Sequence, residues 1–207
     1  MLTPEQFFGF LTAAILITLS PGPDNMMVLG VGIAKGRARG IAFGLGCALG
    51  CLNHTLLAAI GVSALIAASP TAFTALKIAG GLYLIWMGIG ALRSRGVAQA
   101  AGVVPDESAR QLFFKGLLAN AINPKVVLFF LSFLPQFVVA SRGDANWQIA
   151  WLGLTFTVQA AVLFGLLGYF SGAIGQWLNR TPRAGMWLDR IAGAIFVGLG
   201  LRLIVAR

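Results

Sequence analysis

The chain has 207 residues, 58% of them hydrophobic and only 10% charged, with a mean hydropathy of +0.86. So apolar a composition excludes an ordinary soluble domain and puts the chain in the membrane class. A net charge of +9 does not make it a nucleic-acid binder, because the basic residues sit in short gaps between apolar runs.

The N-terminal segment does not read as a signal peptide: Glu5 is acidic, no basic residue precedes the apolar run, and that run is too long. Six helical spans are predicted, forming one transmembrane domain over residues 1–207. The first covers about residues 6–34, with Ser20-Pro21-Gly22-Pro23-Asp24-Asn25 at its middle. Pro21 and Pro23 lack an N–H and clash with a preceding carbonyl, so no α-helix passes unbroken. Gly22 between them adds backbone freedom. Counting i→i−4 bonds leaves the carbonyls of Ile17 and Leu19 without helical partners. At membrane depth such an opening is tolerated only where protein or a water-filled cavity covers it.

The second span covers about residues 40–68 and holds Cys47, Cys51 and His54. Two cysteines four residues apart in an apolar run read as buried thiols, not a disulfide framework. Ser69-Pro70-Thr71 reads as a turn, and the third span runs from about 75 to 92. The longest polar segment follows at 93–110, with Arg93, Arg95, Asp106, Glu107 and Arg110. The fourth span covers about 112–140 and carries a second break at Asn123-Pro124-Lys125. Ser141-Arg142-Gly143-Asp144 reads as a turn before a fifth span at about 147–178 and a sixth at about 188–205. Spans one, two, four and five exceed the ~20 residues needed to cross, so they are tilted or broken.

Lys35, Arg37 and Arg39 follow the first span; Arg93, Arg95, Arg110 and Lys115 the third; Arg180, Arg183 and Arg190 the fifth. The even gaps hold little beyond Lys77 and Arg142. The positive-inside rule then places the odd gaps in the cytoplasm and both termini outside. Trp147, Trp151, Trp177 and Trp187 lie near span ends, as an interfacial aromatic belt does.

The halves resemble each other. Lys77-Ile78-Ala79-Gly80 and Gly88-x-Gly90 in the third span are matched by Arg190-Ile191-Ala192-Gly193 and Gly198-x-Gly200 in the sixth. Repeat one is residues 1–95 and repeat two 111–207, each of three spans with a break in its first. Three spans per copy make the copies opposite in orientation, the inverted-repeat plan of many transporters, which place substrate at paired broken helices. The expected fold is therefore an all-α membrane protein of six helices in a 3+3 inverted repeat.

Lys125 lies near the centre of an apolar run, where a lysine costs roughly 3 kcal/mol, so it must face a cavity or a partner. Two readings stay open: a site for an anionic group such as a substrate carboxylate, or a structural pair with Asp24. Pro124 frees the carbonyl of Asn120, and Asn120 and Asn123 add polar groups. Asp24 reads as an N-cap of the second half of span one, or as a proton carrier or contact for a substrate ammonium. Asn25 is the alternative cap. His54, the one histidine, shares a helical face with Gly46, Cys47 and Gly50, so it points inward, for structural bonding or proton relay. Cys47, Cys51 and His54 lack an evident fourth ligand for a metal. Gln159 lines the pathway or packs against a neighbouring helix.

On Ser20-Pro21-Gly22-Pro23, Tyr83-Leu84-Ile85-Trp86-Met87-Gly88 and Asn123-Pro124-Lys125, continuing to Leu134-Pro135-Gln136-Phe137, the sequence resembles the LysE/RhtB family of bacterial amino-acid exporters along essentially its whole length. The resemblance implies a multi-pass protein of the bacterial inner membrane that exports amino acids or small derivatives, driven by the proton gradient. It implies no cofactor and no enzymatic activity. A metal-ion exporter and a passive channel are the alternatives of the same architecture. An intramembrane enzyme would need a nucleophile–base pair or a full ligand set. No nucleotide-binding loop is present for ATP coupling. The small-residue faces fit packing within one chain or in a homo-oligomer.

Overall fold

The computed structural model describes residues 2–62, 69–94, 106–139, 141 and 144–205. Arg95, Arg142 and Arg207 lie outside them. Among the described residues there are helices and no strands. Helix α1 spans Pro4–Leu19 and α2 Pro23–Lys35, their axes turned by 54° across residues 20–22. Gly36, with φ of +88°, makes the one-residue corner into α3, Arg37–Leu57, which ends in a π-helical turn at Ala58–Val62. Only glycine adopts such a φ without strain. Helix α4 is Pro70–Leu92. Helix α5, Ala109–Ala121, is followed at a 49° bend by α6, Pro124–Leu128. A π turn at Phe129–Phe133 and a 3₁₀ turn at Leu134–Phe137 continue α6. Helices α7, Ala145–Tyr169, α8, Ser171–Arg180, and α9, Pro182–Val205, complete the chain.

Residues 37–61, 71–92 and 145–169 are each long and apolar enough to cross a membrane, and so are the bent pairs α1–α2 and α5–α6. That makes up to five crossings against the six expected from the sequence. Helix α9 is 24 residues long but carries Arg183, Asp189, Arg190 and Arg202 and is not among them.

Three boundaries differ from expectation. Ser69-Pro70-Thr71 is a helix start, not a turn: Ser69 Oγ accepts from Ala72 N at 3.2 Å, and Pro70 takes the first helical position. A proline there loses nothing, because its missing N–H has no helical partner anyway. The fifth span, whose length calls for a tilt or a break, takes the break: it ends at Phe170, short of the expected 178, where Ser171 Oγ donates to Gly168 O at 2.8 Å. The last helix begins at Pro182, so Arg183 and Arg190 lie within it and not in a gap.

Glycines set the helix spacings. A Cβ on Gly81 would meet Gly200 O, and one on Gly200 would meet Gly81 O; Gly88 and Gly193 repeat the relation. Helices α4 and α9 therefore run antiparallel in near backbone contact. Gly40 against Gly168, Gly44 against Phe164 and Gly153 against Thr55 do the same for α3 and α7. Helix α3 also packs on α5, where a Cβ on Gly116 would strike Phe43 O and lie 3.1 Å from Cys47 N. Both obstacles are backbone and cannot swing aside. Gly116→Val is expected to destabilise the fold by about 1–3 kcal/mol, the usual cost of overpacking. Thermal unfolding in detergent checks this.

The basic gaps share one end of the bundle. Lys35 pairs with Glu107 at 2.6 Å, Lys115 pairs with the same carboxylate, and Arg39 pairs with Asp106 at 2.8 Å. The adjacent Lys115 and Lys35 hold the Glu107 carboxyl below the usual carboxylate range. Ser94 Oγ donates to Asp189 at 2.5 Å, which brings α9 to the same end. At the other end Gln6 Nε2 donates to Phe137 O at 2.8 Å, and Gln148 holds both the N–H and the carbonyl of Val139. Trp147, Trp151, Trp177 and Trp187 are exposed on the outside of the bundle.

Candidate functional site

The two breaks meet. Lys125, from the second, reaches into the first: its Nζ donates to Ile17 O at 3.1 Å, to Ser20 O at 3.0 Å and to Asn25 Oδ1 at 3.5 Å. The ammonium is 3% exposed and its three N–H bonds are all directed at oxygen. It thus fills the gap that Pro21 leaves at the Ile17 carbonyl, and it does so at the C-terminus of α1, where the helix dipole is negative. Ser20 Oγ also donates to Ile17 O, at 2.8 Å, and Asn25 Nδ2 to Thr18 O, at 2.7 Å. Gly22 is what lets the lysine in: a Cβ there would lie 2.7 Å from Nζ.

Asp24 is not an N-cap. Gly22 takes the cap position of α2 and makes no side-chain cap bond, and Pro23 opens the helix. Asp24 therefore sits two positions beyond the cap, and its side chain turns inward, 1% exposed. Nor does Asn25 cap, since its side chain serves Thr18 and Lys125. Asp24 Oδ2 accepts from Asn120 Nδ2 at 2.7 Å, while Oδ1 has no partner. Among the described residues no ion pair joins Asp24 to Lys125.

Asn120 is the hub of the second break. The carbonyl freed by Pro124 accepts from His54 Nε2 at 3.0 Å and from Asn123 N at 2.9 Å. A carbonyl can only accept, so the bond assigns the proton to Nε2. His54 is 1% exposed and its ring stands 5.7 Å from that of Phe130. Asn123 caps α6, its Oδ1 accepting from Lys125 N at 3.0 Å, and leaves its Nδ2 unpaired. Gln159 Nε2 donates to Thr18 Oγ1 at 2.9 Å and its Oε1 is unpaired.

Between these groups lies a buried cavity of about 10 Å³, room for about one water molecule. Thr18, Asp24, Asn120 and Lys125 form its polar wall; Phe129, Phe156 and Phe164 form the apolar one. A positive and a negative group thus face one enclosed space. On the side away from the basic end, Phe129 and Phe156 continue into Phe10, Phe130, Phe133 and Phe137, with ring centroids 5.0–5.9 Å apart for the pairs that link them.

A model of the family described as "LysE type translocator" matches residues 15–207. The chain belongs to the LysE-type translocator family. This translocator is a multi-pass membrane protein and a transporter, not an enzyme. It is 33% identical over 211 residues to the threonine efflux protein of Escherichia coli K12, covering 96% of this chain and 98% of that one. It is 29% identical over 206 residues to the homoserine/homoserine lactone efflux protein of Salmonella typhimurium LT2, covering 100% and 99%. An uncharacterised membrane protein of Vibrio cholerae is 30% identical over 203 residues, covering 97% of each chain. No solved structure matches.

Of the residues singled out in the sequence, Pro21, Gly22, Pro23, Asp24, Asn25, Asn120, Asn123, Pro124 and Lys125 converge on this junction, with His54 behind Asn120. Gln159 touches it through Thr18. Cys47 and Cys51 are buried beside it; Cys51 Sγ points at Cys47 O and Asn120 Oδ1, both at 3.6 Å. Among the described residues no three His, Cys, Asp or Glu side chains assemble as metal ligands. Thr18 and the phenylalanines were not foreseen. In an apolar run their pattern is that of ordinary helix core.

Proposed function

We propose that this translocator is a secondary exporter of amino acids or small derivatives, carrying them out of the cytoplasm across the bacterial inner membrane at the expense of the proton gradient. The observation that carries the reading is the ammonium of Lys125 and the carboxylate of Asp24 on the wall of one buried cavity. An amino acid is a zwitterion, and such a pair of opposite charges fits its two ends. When the breaks hinge, Lys125 exchanges its bonds to Ser20 O and Asn25 Oδ1 for the substrate carboxylate, and Asp24 takes the ammonium, with Asn120 and Asn123 positioning the two. The names of the relatives, threonine efflux and homoserine/homoserine lactone efflux, point to small neutral amino acids.

In this reading the chain is one transmembrane domain of six spans, built as a 3+3 inverted repeat, with α1–α2 and α5–α6 as the broken spans. The reciprocal Gly81–Gly200 and Gly88–Gly193 contacts support it, because a two-fold axis between α4 and α9 exchanges one with the other. The basic end faces the cytoplasm. A cavity of about 10 Å³ has room for about one water and is too small for an amino acid, so binding requires the breaks to hinge.

The test is release of amino acids from cells overexpressing the chain after loading with a panel spanning threonine, homoserine, lysine and leucine. Small neutral amino acids are expected in the medium above the vector control. No release of any of them, with the protein present in the membrane, rejects the reading.

A further inference from the structure

We infer that Asp24 is a shared site, at which the substrate ammonium and the coupling proton compete for the same carboxylate oxygen. This rests on the zwitterion reading above and adds how substrate and proton are exchanged. Of the six acidic residues, Asp24 alone lines the cavity. Glu5 begins α1, Asp144 caps α7, Asp106 and Glu107 are paired at the basic end, and Asp189 accepts from Ser94. Asp24 Oδ2 is already held by Asn120 Nδ2, so one oxygen remains. That oxygen, Oδ1, is buried and has no protein partner. A buried carboxylate oxygen left unpaired is costly, and it is relieved by an N⁺–H donor or by a proton. One oxygen accommodates one of these at a time.

The surroundings make Asp24 the place where the exchange happens. The titratable groups around Asp24 are the buried thiols of Cys47 and Cys51 and the ring of His54 on α3, and Lys125 on α6. Helix α5 presents the neutral Asn120, and the buried residues of α1, α7 and α8 include no ionisable side chain. His54 is one bond further out, since it reaches Asp24 only through Asn120. Lys125 makes no bond to Asp24; in this closed state it donates to the carbonyls of Ile17 and Ser20. In the cycle, the zwitterion arriving from the cytoplasm places its ammonium on Oδ1, and the proton carried there leaves to water on that side. On the outer side a proton binds Oδ1, the ammonium loses its counter-charge, and the amino acid departs. Each turnover moves one zwitterion out and one proton in, with no bond made or broken other than that O–H.

The experiment uses the full chain in detergent, with threonine and homoserine as probes, in a weakly buffered solution with a pH indicator. Binding is expected to release protons, up to about one per amino acid bound, and affinity is expected to fall as the pH is lowered, by linkage. His54→Asn keeps the proton release and Asp24→Asn loses it. The wild-type measurement decides even where Asp24→Asn does not fold. Binding without proton release at any pH where the protein stays folded overturns the shared site and leaves the zwitterion reading intact. Release that survives Asp24→Asn, or vanishes with His54→Asn, assigns the proton elsewhere and overturns it too. Failure of both probes to bind wild-type protein overturns the zwitterion reading for small neutral amino acids, and the shared site with it.

Discussion

Lys125→Met is expected to abolish export while the protein still inserts and folds. The substitution removes the cation that holds the substrate carboxylate, and losing such a buried contact costs about 2–5 kcal/mol, at least about thirtyfold in affinity. Its structural cost is small by comparison. The carbonyl of Ile17 keeps the Ser20 hydroxyl, so the acceptors left short are Ser20 O, at about 1–3 kcal/mol, and Asn25 Oδ1, whose long bond at 3.5 Å is weak. Removing a central charge returns roughly 3 kcal/mol on insertion. Lys125→Arg is expected to rescue poorly, because a planar guanidinium does not fit where a compact ammonium bonds three oxygens beside a cavity of about 10 Å³. The double variant Lys125→Met with Asp24→Asn is expected to stay inactive, because no ion pair joins the two side chains among the described residues. Export at matched membrane levels is the measurement. Recovery in the double variant would mean that Lys125 only neutralises Asp24.

Gly22→Ala is expected to cut export by about tenfold or more with little change in stability. The backbone there is extended, with φ of −171°, so alanine adds no strain of its own. Its Cβ would lie 2.7 Å from Lys125 Nζ and 3.2 Å from Cε. The lysine end is flexible and moves, so the fold survives, but the ammonium leaves the place between Ile17 O and Ser20 O that aims it at the cavity. A misplacement of about 1 Å in a positioned group costs up to about a hundredfold. Gly30→Ala, where nothing lies within 4 Å, is the control and is expected to export normally. Equal export by the two variants would show that the position of Lys125 is not critical.

The site was legible from the sequence where proline chemistry made it so. Pro21, Pro23 and Pro124 each forbid a helical bond, and a lysine and an aspartate beside them in apolar runs have few places to go. The carbonyls of Ile17 and Asn120, picked out by counting, are among those that Lys125 and His54 serve. The counting could not tell which proline would open α2, because either can stand first in a helix. Pro23 does, which makes Gly22 the cap and puts Asp24 inside the first turn, on the cavity wall. Lys125 and Asp24 share that cavity without bonding to each other, a distinction that depends on how two distant segments approach. The length of the fifth span signals a tilt or a break, but no proline marks the place at Phe170. The break goes with tertiary contacts: Gly168 against Gly40, Ser171 against Gly32. At Ser69 the sequence does not separate a turn from a helix start, because Ser-Pro opens both.

The most direct test of the central claim is to bind threonine analogues that lack one charge each to the wild-type protein in detergent. Calorimetry against threonine, threonine amide, which lacks the carboxylate, and the matching hydroxy acid, which lacks the ammonium, isolates the two ends. A site built from Lys125 and Asp24 predicts that each analogue binds weaker than threonine by about thirtyfold or more, the cost of leaving one buried charge unpaired. Equal affinity for threonine and either analogue would contradict it.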